Sequence, residues 1–114
     1  MAFQPYSVKK AESTYLALFL DAAPNVPLDG PLSVLVEFHF PFRKTEKKRA
    51  LDRGWGFIDT RPDVENLAKL FIDAIAPRYF VDDARISEMC IRKFRSSRTG
   101  VRLRIHRLLY LDGD

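Results

Sequence analysis

The chain is poor in cysteine, in histidine and in long apolar runs, and each shortage removes a class of answers. Cys90 is the only cysteine among 114 residues, so no disulfide within the chain is available and a reducing, intracellular compartment is the expectation. The longest apolar run near the start, Tyr15 to Leu20, is six residues. That is too short for a signal-peptide core or a membrane span, so neither secretion nor membrane insertion is expected. His39 and His106 lie far apart with no metal-ligand spacing and read as ordinary sheet residues. No internal repeat and no low-complexity tract is present. What remains is 46% hydrophobic and 30% charged, which predicts a single domain over 1–114 with a core of its own. A net charge of +4 and a pI near 9.4 give a moderate lean towards anionic partners, which by itself selects no function.

Residues 7–22 place Val8, Ala11, Tyr15, Leu18, Phe19 and Ala22 at steps of three and four, which predicts an amphipathic helix. Prolines and a glycine in Ala23–Pro31 (APNVPLDGP) then break the chain. Leu32–Phe40 (LSVLVEFHF) alternates, with Leu32, Val34, Val36, Phe38 and Phe40 on one face and Ser33, Leu35, Glu37 and His39 on the other, so a half-buried strand is expected. Residues 41–60 show no sustained period and carry Arg43, Lys44, Lys47, Lys48, Arg49 and Arg53. They predict a long exposed basic loop, either a binding element or a solvated charge run. The helical period returns from Asp63 to Ile75. Val64, Leu67, Ala68, Phe71, Ala74 and Ile75 form its apolar stripe, with Pro62 and Asp63 at its start and Pro77 as its stop. Ile86–Arg95 and Val101–Tyr110 alternate as strands, and Ser96–Gly100 (SSRTG) carries turn chemistry, which predicts an antiparallel hairpin. The order of elements predicts an α+β domain whose small mixed or antiparallel sheet is covered by helices.

The stretch from Arg61 to Ile86 gathers Asp63, Glu65, Lys69 and Asp73, then Asp82 and Asp83. On a helix beginning near Asp63, the residues Glu65, Lys69 and Asp73 fall on one polar strip. Each group has a plain structural explanation: Asp63 as a cap, Glu65–Lys69–Asp73 as an ion-pair ladder, Asp82–Asp83 as a turn. Together they also match what a hard cation requires. Mg²⁺ takes oxygen ligands and is typically held by one or two carboxylates plus substrate phosphate. A metal so held activates water and stabilises the leaving oxygen of a phosphodiester. Carboxylates beside a lysine on a basic chain are a nuclease-like set.

RPDVENLAKLFIDAI, followed by VDDARI and then by Lys93, resembles the signature of the RusA family of Holliday junction resolvases. In that family Pro/Arg-Asp-x-Asp-Asn-Leu-x-Lys precedes Asp-Ala and, after a spacer, Asp-Asp-(Ala/Ser)-(Gln/Arg)-(Ile/Val). The strand ending in FHFP and the basic C-terminal strands are similar too, so the match spans roughly Ser7 to Ile105. The resemblance implies metal ligands at Asp63, Glu65 and Asp83 and an essential lysine at Lys69, these four being the catalytic set. It implies supporting roles for Asn66, Asp73, Asp82 and Lys93. It further implies Mg²⁺ as cofactor, a homodimer, and paired symmetric nicks in four-way or branched DNA; a two-fold dimer offers one active site to each of two opposed strands. Two positions depart from the family pattern. Glu65 replaces an aspartate and adds a methylene, which leads to the expectation of a weakened or Mn²⁺-preferring site, and the family's opening strand has no counterpart before the first helix. These departures leave a catalytically weakened RusA-like protein that binds junctions as the alternative.

The cationic residues fall in two groups: Lys47, Lys48 and Arg49 with Arg61, and Arg95, Arg98, Arg102 and Arg104 towards the C-terminus. On the last strand Arg102, Arg104 and His106 alternate to one face, with Val101, Leu103 and Ile105 on the other. Both groups are candidates for DNA phosphates, contacts that read backbone and junction shape rather than base sequence. Trp55 and Phe57, set between glycines in GWGF, either pin the loop onto the core or stack on exposed bases at a junction centre.

Overall fold

The alternation of Leu32–Phe40 produces the central strand. In a computed structural model that describes residues 17–110, the elements run β1 (Leu32–Phe40), α1 (Lys48–Arg53), β2 (Trp55–Phe57), α2 (Val64–Tyr79), a 3₁₀ turn at Asp83–Arg85, β3 (Ile86–Ser96) and β4 (Gly100–Arg107). Residues 17–21 are also helical and Ala22, expected in the same helix, is a turn; residues 7–16 of the helix expected over 7–22 lie outside the described residues. The sheet order is β2-β3-β1-β4. β1 runs parallel to β3 and antiparallel to β4, and β2 runs antiparallel to β3. A parallel pair needs a crossover, and α2 supplies it, running back across one face of the sheet. The chain is therefore α+β with a mixed four-stranded sheet.

The core lies between that face and α2. Leu32, Val34, Val36, Phe38 and Phe40 form one buried cluster with Ile72, Ile75, Tyr79 and Phe80. Phe71 extends it by meeting Phe38 edge-on, with ring centroids 5.9 Å apart. The far end of α2 is fixed by backbone bonds to the proline-rich segment before β1 and by a side-chain bond to the helical residues 17–21. Leu28 N–H donates to Tyr79 O (2.7 Å), Val81 N–H donates to Leu28 O (2.9 Å), and the Tyr79 hydroxyl donates to Phe19 O (2.6 Å).

Three expectations are corrected here. The stretch 41–60 is not a bare loop, because it contains α1 and the edge strand β2. Gly54 ends α1 in the left-handed region (φ 88°), where a side chain would be strained, and its N–H donates to Ala50 O at 2.8 Å. Pro77 does not stop the second helix, which continues to Tyr79 with Pro77 inside its last turn. A proline there removes one N–H, and burial of Tyr79 and Phe80 in the core outweighs that loss. The antiparallel hairpin is split: β3 and β4 do run in opposite directions, but β1 is hydrogen-bonded between them. A turn fixes a reversal of direction and not adjacency. The short link from Ser96 to Gly100 reaches across two strand spacings, roughly 10 Å.

Candidate active site

Asp63 is the N-cap of α2, in extended backbone conformation, yet its side chain makes no capping hydrogen bond. The helix start is positioned by Lys93 on β3. Its ammonium donates to Pro62 O at 2.8 Å and to Thr60 O, so Lys93 holds the residues that deliver Asp63 to its place. Glu65, Lys69 and Asp73 follow on the exposed flank of α2, beside the buried Ala68, Ile72 and Ile75. The spacing allows an ion-pair ladder, but none forms: among the described residues no ion pair joins Glu65 or Asp73 to Lys69. Asn66 is exposed on the same helix.

The Asp82–Asp83 pair closes the turn into β3. Asp82 accepts from the Ala84 N–H at 2.9 Å. That bond, then a hydrogen bond with Asp83, holds the Asp82 carboxyl below the usual carboxylate range. Asp82 is therefore the structural member of the pair. Asp83 instead lies at a shallow hollow of about 390 Å³ with Ile72, Ile86, Ser87, Glu88 and Met89.

These placements set Asp63 and Asp83 apart. Ile72, the α2 residue that shares Asp83's hollow, lies some 13 Å along the helix axis from Asp63 at 1.5 Å per residue. Among the described residues no three His, Cys, Asp or Glu side chains gather closely enough to hold a metal ion. The donor chemistry of Asp63, Glu65 and Asp83 is that of a hard cation, all carboxylate oxygen. Within one protomer the three do not form a closed cage.

The cationic residues divide by strand alternation. Lys93 pairs with Phe38 and Arg95 with Phe40, which puts both on the α2 face. Arg95 is committed there. Its guanidinium donates to Pro41 O at 3.1 Å and lies 3.7 Å from Glu46, and burial, ahead of the nearby Arg43 charge, pushes its pKa down. It anchors residues 41–46 rather than facing a ligand. Arg92 and Arg102 flank Glu37 on the opposite face, and Arg104 lies beside Leu35 there. Arg102 and Arg104 are exposed, as are Lys47, Lys48, Arg49, Arg61 and Arg98.

Sequence reasoning missed Glu37. It is 8% exposed on the central strand, with its carboxylate 3.2 Å from His39 Nε2, 3.5 Å from Arg92 and 4.0 Å from Arg102. The signal was an acid inside the most regular strand pattern, a position that requires a partner.

A family model described as endodeoxyribonuclease RusA matches residues 1–106. The chain is also 29% identical over 87 residues to the uncharacterized protein YqaN of Bacillus subtilis (strain 168), covering 72% of this chain and 61% of that protein. No solved structure matches. No helix among the described residues is long and apolar enough to cross a membrane.

Proposed function

Because the chain belongs to the RusA endodeoxyribonuclease family, we propose that it is a structure-specific endonuclease that resolves Holliday junctions by paired symmetric nicks, acting as a two-fold homodimer. The observation that favours this reading is the state of the α2 flank. Asp63 is delivered to the helix start by Lys93 without being used as a cap, and among the described residues Glu65, Lys69 and Asp73 form no ion pair. Charges that stabilise a fold are normally paired; these stay available for a ligand.

In this reading Lys69 offsets charge on the scissile phosphate and Lys93 positions Asp63. Asp63 and Glu65 would offer carboxylate oxygens to Mg²⁺ from one protomer, with Asp83 reaching the ion only across the dimer, and the ion would supply Lewis-acid activation of water and of the phosphodiester. Asp73 and Asn66 support the same flank, and Asp82 fixes the turn that carries Asp83. Lys47, Lys48, Arg49, Arg61, Arg98, Arg102 and Arg104 would meet DNA phosphates.

The test is nicking of a synthetic four-way junction against a linear duplex, with and without Mg²⁺ or Mn²⁺. Metal-dependent nicks at symmetric positions in the junction, and none in the duplex, are expected. Junction binding with no nicking under either metal would favour the reading in which catalysis is lost. Glu65→Asp should lower the Mg²⁺ concentration required, because the shorter side chain restores the family's reach.

A further inference from the structure

The face of the sheet turned away from α2 carries a group of rings that the endonuclease reading leaves unused. Phe94 lies at its centre, with ring centroids of His39 4.9 Å, Phe57 5.4 Å and Trp55 5.8 Å away. Trp55 meets Phe57 edge-on at 5.1 Å. Pairing of Phe57 with Phe94 across β2 and β3 aligns these rings on one side. Phe94 is buried, but Phe57 is 76% exposed and Trp55 39%. Phe57 therefore does not pin its segment to the core; the β2–β3 ladder does that. With Glu37 and Arg92 the rings line a hollow of about 520 Å³, a size suited to a small planar group.

The charge around this hollow narrows the occupant. The Arg53 guanidinium sits 4.9 Å from the Trp55 ring centroid, and Arg92 and Arg102 stand along the other side. Glu37 is the acid at the hollow, and its carboxylate is matched by Arg92, Arg102 and His39. An arriving group thus meets exposed aromatic surface rimmed by positive charge. A second copy of this face would set Arg92, Arg102 and Arg104 against their own counterparts, which is repulsive. A base inside a duplex has no free face to offer. A single-stranded nucleotide has both a free aromatic face and a phosphate on each side.

We infer that this hollow holds an unstacked nucleobase of single-stranded or locally opened DNA, stacked on Phe57 and Trp55, with Arg53, Arg92 and Arg102 taking flanking phosphates. The inference rests on the DNA-acting reading of the chain and adds to it a site for unpaired bases on the side of the sheet away from α2. Because the hollow and the α2 flank lie on opposite faces, the site acts on affinity and on selection of opened DNA, not on the rate of bond cleavage.

Trp55 is the only tryptophan, so its fluorescence reports the site directly. The full chain is titrated with an oligothymidylate and with an abasic oligomer of equal length, which keeps the phosphates and removes the bases. Oligothymidylate should quench Trp55 and bind about five- to a hundredfold more tightly than the abasic strand, the range one stacked base gives. Phe57→Ala, at an exposed position, should remove most of that difference while leaving abasic binding unchanged, and Phe57→Tyr should retain it. Equal affinity for the two strands overturns the proposal. So does a Phe57→Ala variant that weakens both strands alike, or one whose only effect is to dissociate a self-associated form in sedimentation. Junction nicking is read in parallel. Lost base discrimination with nicking intact removes this site alone, whereas discrimination without any nicking removes the endonuclease reading and keeps the site.

Discussion

The two faces of the sheet handle charge in opposite ways. On the α2 face, Glu65, Lys69 and Asp73 have complementary spacing and stay apart, while Lys93 and Arg95 give their donors to backbone carbonyls. On the other face, a buried acid is surrounded by cations and fully matched. Arg92 and Lys93, consecutive on β3, divide the same way: Arg92 neutralises Glu37, and Lys93 positions the helix that carries the acids. A matched acid serves the fold while its half-exposed arginines keep donors turned to solvent, and an unmatched charge on a rigid helix is free for a ligand. Variants that remove one charge at a time should therefore separate activity from stability according to face.

The largest effect is expected at the unmatched acids. Asp63→Asn and Asp83→Asn should each reduce junction nicking by about a hundredfold or more, while gel-shift affinity for the junction stays level or rises because repulsion of phosphate is relieved. The separation of these two residues along α2 sharpens the test. If each site of a dimer takes Asp63 from one chain and the partner's Asp83, a mixture of the two inactive variants regains nicking in its hybrid dimers. We expect that recovery, since one protomer does not gather the acids by itself. A mixture as inactive as its components would mean that each site draws its acids from one chain.

Next comes Glu37 on the matched face. Glu37→Gln leaves Arg92, Arg102 and His39 around a neutral amide, and should destabilise the chain by about 1–3 kcal/mol in urea unfolding, below the cost of a fully buried pair because both arginines are half exposed. Nicking per folded molecule should be unchanged. Lys93→Met is the mirror case. Losing two carbonyl contacts at the start of α2 should lower the nicking rate about tenfold, with junction affinity retained and stability down by about 1 kcal/mol. A rate that fell only with the folded fraction would make Lys93 a stabilising residue and nothing more.

Much of this division is visible in the sequence, and what is not has a common cause. The alternation of Leu32–Phe40 names the five core residues of β1, and Asp63 and Asp82–Asp83 fall where a helix start and a turn were expected. Ile72, at the centre of the buried helix face, lies between Phe71 and Ala74, outside the stripe that the spacing predicts. α1 and β2 were hidden by the charge of residues 41–60, although Gly54 behind Lys48–Arg53 and the aromatic alternation of Trp55-Gly56-Phe57 were local signals for both. The placement of β1 between β3 and β4 has no local signal at all. Periodicity tells which residues share a face of one strand, while the neighbour of that strand is chosen by the whole core. Alternation along β3 separates Arg95 from Arg92, but only the register places Arg102 of β4 on the same face as Arg92.

The smallest expected effect is on pH dependence, and it comes from surface links that belong to neither face. Asp29 is held below the usual carboxylate range by the Gly30 N–H and then by Arg85, Glu46 by its bond to Arg43, and Asp82 by the Ala84 N–H. A carboxyl whose folded pKa is depressed adds stability that is present above its unfolded value and is lost as pH falls through the folded one. The ordinary values here are 3.8 and 4.5, so the melting temperature should hold level down to about pH 5 and decline below it. Burial of Tyr79 raises its hydroxyl above 10.0, and for a raised group the sign reverses: its contribution is complete below 10 and is lost as pH climbs past that value. Glu46→Gln should flatten part of the acid limb without touching the alkaline one, and Tyr79→Phe should do the opposite. A Glu46→Gln chain with an unaltered acid limb would show that Arg43 and Glu46 contribute nothing net at this exposed position, as many surface pairs do.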